Sequence, residues 1–256
     1  MAALLAFMSV SGILGWLNIK GLTARVDLAD EVYRGMDTLV TVRLANGKRS
    51  VPSFLLKVRL LGETVDFDLL GGGGEGSGSF LFRFRERGEQ RIAAAEISSP
   101  FPINFFVRSR RVELNHCLTV FPAPVPCPLP SGCDGAQRSG SLANQAKGYE
   151  GEVAKIADYS GAEPLKLVHW RLSAKHDALK VKELTGTSQE PVLLDLDRMP
   201  GKTLEEHLSC TVFLVNRLIR GNRGVGLKLG ERLFPAAASR DHRLRLLSEL
   251  ARYGKN

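Results

Sequence analysis

Apolar residues follow three successive patterns along this chain, and each pattern predicts a different kind of structure. The first nineteen residues contain no charged side chain, which indicates a helix about 28 Å long, close to the thickness of a bilayer's hydrocarbon core. Apolar and polar residues then alternate in short segments up to residue 122, as in the strands of a small antiparallel β-sandwich. Beyond residue 190, strand and helix spacings follow one another, which favours a short parallel α/β unit. We therefore predict an α+β multidomain fold.

The uncharged first segment has three interpretations. A secretory signal peptide needs a basic region near its start, whereas no Lys or Arg precedes Lys20. A helix buried in a globular core rarely continues for so long without a charge. We favour a transmembrane helix over residues 1–19, in which Gly12 and Gly15 lie on a face of small residues suited to packing against another helix. Lys20 and Arg25 then place the following chain in the cytoplasm by the positive-inside rule.

The alternating region predicts strands joined by turns. Its clearest segments are residues 38–44, 54–61, 64–70 and 79–85. Asn46-Gly47 is typical of a hairpin turn between two of them. The glycine-rich residues 71–78 lack the Gly-Lys-Ser/Thr ending of a phosphate-binding loop, so we expect a flexible hairpin connection there.

The second half of the chain begins after a change in composition. Residues 123–148 are rich in Pro, Gly and Ser, which indicates a linker. Further on, residues 191–196 predict a strand, and Thr203 to Glu206 form a capping box that opens an amphipathic helix ending at Gly221. Another strand and a second amphipathic helix follow, at residues 225–229 and 241–253. The predicted divisions are a transmembrane helix, a sandwich, a linker and an α/β part, over residues 1–19, 22–122, 123–148 and 149–256.

A dense alternation of charged and apolar residues between Asp158 and Glu183 resembles the signature of the family called domain of unknown function 58. The matching residues are Asp158, Tyr159, Gly161, His169, Trp170, Ser173, Lys175, Val181, Lys182 and Glu183. The sequence departs from the family pattern in three places: the usual Arg before the Tyr is replaced by Ile156-Ala157, the Gly-Asp turn is Gly161-Ala162, and Lys166 stands where an Arg is usual.

The resemblance implies a membrane protein of the bacterial inner membrane, with its soluble part in the cytoplasm. Relatives carry two transmembrane helices before that part, whereas one is present here. They also have a Pro-Phe corner near the end of the sandwich, where we expect Phe101, Phe105 and Phe106 to pack in the core. The C-terminal part resembles the opening of a von Willebrand factor type A domain, with Asp195 where such domains begin a metal site. Such proteins often accompany MoxR-type AAA+ ATPases, which suggests a protein partner.

Composition limits the possible partners, the redox compartment and the metal chemistry. The net charge is +8, but the 35 basic residues are mixed with 27 acidic ones, which suits an anionic membrane surface better than nucleic acid. The four cysteines are too scattered to predict a disulfide framework, so we expect a reducing compartment. Asp197 and Met199 follow Asp195 where hydroxyl ligands are usual, and a thioether does not suit magnesium. We therefore expect no metal and no cofactor.

No familiar catalytic motif occurs in the sequence. His169 and His176 could serve as a base or as metal ligands, but a structural role is the better interpretation. We interpret Trp170 as a core residue packed under the parallel sheet, with an interface residue as the alternative. The expected function is a membrane-anchored, non-catalytic assembly or regulatory module. The alternative is a metal-dependent protein-binding domain acting through Asp195, or a hydrolase using His169.

Overall fold

The computed structural model describes residues 1–104, 106–130, 152–158, 168–176, 179–185 and 190–254, with the backbone alone for 152–158, 175–176 and 181–185. The chain divides into two compact units, residues 1–124 with 247–256, and residues 125–246. The elements up to residue 124 are α1 (Ala2–Ile19), β1 (Leu22–Leu28), β2 (Val32–Tyr33), β3 (Asp37–Asn46), β4 (Ser53–Leu60), β5 (Glu63–Leu70), β6 (Glu75–Arg83), β7 (Gly88–Ser99) and β8 (Arg108–Phe121). Those that follow are β9 (Glu152–Asp158), α2 (Trp170–His176), β10 (Lys180–Thr185), β11 (Val192–Asp195), a 3-10 helix (Leu196–Arg198), α3 (Leu204–Arg220), β12 (Val225–Leu229), β13 (Arg232–Ala237) and α4 (Arg240–Arg252).

The strands of the first unit form two sheets over one hydrophobic core. One sheet has the order β1-β3-β6 and the other has the order β2-β8-β7-β4-β5. β2 runs parallel to β8, and the other neighbours are antiparallel. Fully buried residues of both sheets meet in the core, among them Val40, Val42, Leu56, Val58 and Ile97. The unit is a β-sandwich-like domain within an α+β fold, as the alternation of apolar residues predicts.

The four predicted strand segments are confirmed as β3 to β6, but the predicted turn at Asn46-Gly47 is wrong. β3 and β4 lie in different sheets, so the chain crosses from one sheet to the other at this point. Asn46 is buried, and its side-chain amide lies 3.0 Å from the carbonyl oxygen of Val51 and 3.2 Å from that of Leu70. It thereby satisfies backbone acceptors that a strand partner would otherwise take.

The glycine-rich segment is a second crossing and not a hairpin, because β5 and β6 also lie in different sheets. The Gly73 N–H donates to the carbonyl of Lys48 at 2.6 Å, which fixes the segment against the first crossing. β6 then passes so close to β5 that a Cβ at Gly78 would lie 2.2 Å from Cγ1 of Val65. Close approach of two strands, and not phosphate binding, explains this glycine.

The C-terminal part of the second unit contains the predicted strand-helix-strand arrangement and a further strand, β13, that the sequence analysis missed. β11 pairs in parallel with β12, and α3 lies between them in sequence. β13 then returns antiparallel to β12 through a turn at Gly230, whose φ is +58°, so the sheet is mixed and not purely parallel. The second predicted helix is confirmed as α4.

Helix α3 begins at the predicted cap. The Glu206 N–H donates to Oγ1 of Thr203 at 3.3 Å, while the Glu206 carboxylate accepts from the N–H of Lys202 at 2.7 Å. The reciprocal bond is therefore made one residue earlier than in a standard capping box. Gly221 follows the helix as predicted.

Two parts of the sequence expectations fall outside the described residues. From residue 131 onward the predicted linker is not described, and residues 122–130 contain neither helix nor strand. The core position expected for Phe105 is not described either. Phe101 stacks on Phe54 with ring centroids 5.1 Å apart. Phe106 is exposed, so its expected core position is wrong.

The close contact at Gly78 gives a test of the sandwich. We expect Gly78→Ala to destabilise the protein by about 1–3 kcal/mol, because the added methyl group must displace Val65 or the strand. A Cβ at Gly71 meets no atom within 4 Å, so Gly71→Ala is the matched control and should change stability by less than about 0.5 kcal/mol. Urea denaturation of the detergent-solubilised chain measures both, and equal effects would contradict the packing described here.

Candidate functional site

The second half of helix α1 is held against the sandwich, while its first half is exposed. Ser11, Gly15, Asn18 and Ile19 are buried, whereas every residue from Ala2 to Val10 is exposed. The small-residue face expected to meet another helix instead meets the segment between β7 and β8. A Cβ at Gly15 would lie 3.0 Å from the carbonyl oxygen of Phe101. Glycine thus lets this helix approach the backbone of the sandwich directly.

Asn18 joins the helix to the sandwich. Its Nδ2 donates to the carbonyl of Phe54 and to Oγ of Ser99, both at 2.9 Å. Its Oδ1 accepts from the N–H of Phe54 at 2.8 Å. The residue is 3% exposed, so these bonds replace water for a buried amide. A buried amide with all of these bonds fixes the orientation of the helix end as well as its position.

Lys48 caps the same helix end from the β3–β4 crossing. Its Nζ donates to the carbonyls of Leu17 and Asn18, both at 2.9 Å, and to Oγ of Ser53 at 2.7 Å. The last carbonyls of a helix lack intrahelical partners and carry its partial negative charge, so an ammonium group stabilises them. Partial burial nevertheless lowers the pKa of the Lys48 amine, because desolvation disfavours its charged form.

The sequence analysis missed these joint residues. Asn18 has a visible signal, since it is an amide next to the end of a long apolar run. Lys48, Ser53 and Ser99 have none, because their role depends on which loops of the sandwich lie beside the helix end. Nothing in their local sequence distinguishes them from ordinary exposed loop residues.

The middle of the signature stretch forms a small hydrogen-bonded unit. Ser173 lies in the short helix α2, and the strand β10 follows that helix. The buried Ser173 Oγ donates to the carbonyl of His169 at 3.1 Å and accepts from the N–H of Lys180 at 2.8 Å. Ser173 therefore fastens the start of α2 to the start of β10, which is a structural role.

The remaining signature residues are described in part. β9 and β10 pair antiparallel, with Asp158 opposite Lys180, so the backbone brings the two ends of the stretch together. The side chains of Asp158, Lys175, Val181, Lys182 and Glu183 lie outside the described part of the structure, as do Tyr159 and Gly161 entirely.

Trp170 and His169 occupy positions that limit their chemistry. Trp170 is 61% exposed, so its interpretation as a core residue under the parallel sheet is wrong. Nδ1 of His169 accepts from the N–H of Leu172 at 3.2 Å, which uses one ring nitrogen for the local fold. The side chain of His176 is not described, so the structure does not show whether His169 and His176 lie near each other.

Asp195 is held in ion pairs at the end of β11. Its Oδ2 lies 3.1 Å from Nζ of Lys228 and 3.7 Å from Nε of Arg198. Its Oδ1 accepts from the N–H of Asp197 at 3.3 Å. Among the described residues, no group of three or more His, Cys, Asp or Glu side chains could hold a metal ion. The Lys228 ammonium contacts one carboxylate oxygen of Asp195, and its like charge disfavours a cation beside it.

A disulfide was not expected from the sequence, yet Cys127 and Cys210 form one across 83 residues. It ties the proline-rich segment to α3, and the Val125 N–H beside it donates to the carbonyl of Ser209 at 3.3 Å. Cys117 is free and exposed. Disulfides are typical of oxidising compartments, so this bond opposes the expectation of a reducing one.

The joint at Asn18 is open to a direct test. We expect Asn18→Ala to lower the free energy of unfolding by about 2–3 kcal/mol, because it removes the buried amide and leaves the part-buried Phe54 N–H without its acceptor. Asn104→Ala, in an exposed turn, is the control and should change little. Thermal unfolding of the detergent-solubilised chain gives both values. An Asn18→Ala protein as stable as the Asn104→Ala protein would show that the joint contributes nothing.

Comparisons with known proteins add little to this geometry. No family model matches the sequence, and no curated protein matches it. Two solved structures of a CARDB domain from Pyrococcus furiosus, one by NMR and one a crystal structure in complex with di-metal ions, are similar to part of the chain. They are 17% and 19% identical to it, cover 37% and 36% of it and 94% and 86% of their own chains, and give TM-scores of 0.24. A likeness of this size supports no conclusion about function.

Proposed function

We propose that this protein is a membrane-anchored, non-catalytic assembly or regulatory module. The observation that carries the proposal is the exposed apolar surface of α1. Leu4, Leu5, Val10 and Ile13 are each 55–63% exposed on a helix of 18 residues without a charge. Such a surface is costly in water and is satisfied in lipid. Among the described helices, α1 is the one long and apolar enough to cross a membrane, a test that a core helix or a signal sequence also passes.

The joint between α1 and the sandwich supports this role. The helix leads into β1 through two residues, Lys20 and Gly21, and its end is bonded to the sandwich by Asn18. A helix inserted in a membrane would therefore hold the sandwich at the membrane surface in one orientation. That arrangement suits a module that presents a surface to another protein.

A protein partner is part of the proposal. Exposed tryptophans are enriched where proteins bind one another, and Trp170 is exposed within the signature stretch. The resemblance of that stretch to the domain of unknown function 58 family suggests a MoxR-type AAA+ ATPase as the partner. Both the family assignment and the von Willebrand factor type A-like interpretation of the C-terminal part stay predictions.

In the described part of the chain, no observation favours the metal-dependent or the hydrolytic alternative. Asp195 is paired with Lys228, and Nδ1 of His169 accepts a hydrogen bond from the N–H of Leu172 in α2. The same ion pair makes a magnesium site less favourable than Asp195 alone would be.

Membrane association tests the anchor. We expect the full chain to sediment with membranes and to resist carbonate extraction, because the exposed half of α1 lies in lipid. A chain that begins at Ser11 is the matched control, since it keeps the buried residues Ser11, Gly15, Asn18 and Ile19 but lacks the exposed half of the helix. It should lose carbonate-resistant association while staying folded. Full-length protein recovered in the soluble fraction without detergent would overturn the proposal.

The side of the membrane is a separate part of the proposal. Lys20 and Arg25 favour a cytoplasmic soluble part, whereas the bond between Cys127 and Cys210 is the observation against it. The cytoplasmic location predicts that alkylation of denatured protein from rapidly quenched cells finds four free thiols, one for each cysteine of the sequence. If Cys127 and Cys210 react with the alkylating reagent only after a reductant is added, the soluble part lies on the oxidising side of the membrane.

A further inference from the structure

An open groove of about 570 Å³ lies beside α1, where the helix passes the start of β8. Its lining comes from the helix and from the chain around the start of β8. The lining residues are Leu5, Met8, Ser9, Gly12, Ile13, Trp16, Phe106 and Arg108. Most of this surface is apolar, and Arg108 supplies its one charge.

Arg108 lies directly on the helix. Its Nη2 is 3.2 Å from the position that a Cβ at Gly12 would take, and its guanidinium carbon lies 6.0 Å from the centre of the Phe106 ring. No acidic side chain of the described part of the chain forms an ion pair with it. The Ser9 hydroxyl, the other polar side chain of the groove, donates to the carbonyl of Leu5 at 2.9 Å. The groove therefore combines an apolar wall with one cation that is open to a ligand.

The length of the exposed half of α1 indicates where this groove would lie relative to a membrane. Residues Ala2–Val10 are exposed and span about 14 Å, which is roughly half of a bilayer's hydrocarbon core. The rest of α1 is bonded to the sandwich. If α1 is inserted, its packed half and the groove beside it must therefore lie at or near the membrane interface. The exposed side chains of Ile103 and Val107 flank this part of the sandwich and suit such a location.

We propose that the groove binds an anionic phospholipid of the surrounding membrane, with an acyl chain along α1 and the headgroup phosphate on Arg108. The inference rests on the proposed membrane anchoring. A guanidinium group binds phosphate oxygens in a fork, and an apolar wall accommodates an acyl chain. Charge complementarity then selects an anionic phospholipid, because its headgroup has no cation that neutralises the phosphate and competes with Arg108. A second apolar helix would bury the Arg108 charge without a partner, at a high cost.

Tryptophan quenching by brominated lipids tests the proposal, because Trp16 lines the groove. Trp170→Phe removes the other tryptophan, so the full chain with this change, in vesicles, reports on Trp16 alone. We expect brominated phosphatidylglycerol to quench Trp16 with a relative association constant about fivefold above that of brominated phosphatidylcholine, the effect of one basic residue near an anionic lipid. Arg108→Gln should remove this preference. Arg110→Gln, two residues further along β8 and outside the groove, is the control and should keep it.

Each other outcome decides a different point. Equal quenching by the two lipids, or a preference that survives Arg108→Gln, would overturn the lipid site while leaving the membrane anchor in place. An equal loss in the Arg110→Gln protein would show a diffuse surface charge and would also overturn the site. Ser9→Leu fills the groove at an exposed position, so an unchanged preference would place the lipid elsewhere. No quenching by either lipid would overturn the anchor itself.

Discussion

The buried amide of Asn18 is the interaction on which the arrangement of the first unit depends. A helix that ends against a sandwich exposes its last carbonyls to a region where water is excluded. Asn18 bonds to both backbone groups of Phe54 and to Ser99, and Lys48 supplies the missing donors to Leu17 and Asn18. Because the joint is made of hydrogen bonds with fixed directions, it sets the angle of the helix and not merely its contact with the core. An apolar contact alone has no preferred direction and would not fix the angle of the helix.

The same region also contains the two chain segments that cross between the sheets. The Lys48 N–H donates to Oδ1 of Asn46 at 3.2 Å, so the amide that spans the sheet crossings and the lysine that caps the helix belong to one network. The Gly47 N–H donates to the carbonyl of Gly21, the residue that turns the helix into β1. The helix end, the start of β1 and both crossings between the sheets thus share a small set of polar contacts. If α1 enters a bilayer, these contacts fix the orientation of the sandwich relative to the membrane surface.

Sequence reasoning found the elements whose cause is local. The alternation in β3 to β6 and the cap and stripe of α3 follow from neighbours a few residues apart, and both are in the structure. It failed where the cause is distant. An Asn-Gly pair signals a change of direction equally for a hairpin and for a crossing between sheets, so the wrong connection was inferred. The bond between Cys127 and Cys210 joins residues 83 apart, and no local spacing indicates it.

The candidate site shows the same limit. Trp170 has a large aromatic side chain of the kind often found in a core, but at the start of a short helix it is exposed. Arg108 is one of several basic residues in β8, and it became distinctive once the helix was placed beside it. Gly12 and Gly15 were expected to face another helix, and the structure shows them against the sandwich instead. In each case the residue type indicated that the side chain or glycine has a contact to make, but the sequence did not indicate which part of the chain it contacts.

The most direct test of this account is hydrogen exchange of the Phe54 amide, measured by NMR on the full chain in bicelles. That N–H donates to Asn18 across the joint, so its exchange reports whether the helix end stays bonded to the sandwich. The account predicts slow exchange, comparable to that of the fully buried Val58 on the same strand, and a selective acceleration at Phe54 in the Asn18→Ala protein. Exchange at Phe54 as fast as in the exposed loops of the wild-type protein would contradict it, since the helix would then be tethered to the sandwich and not fixed to it.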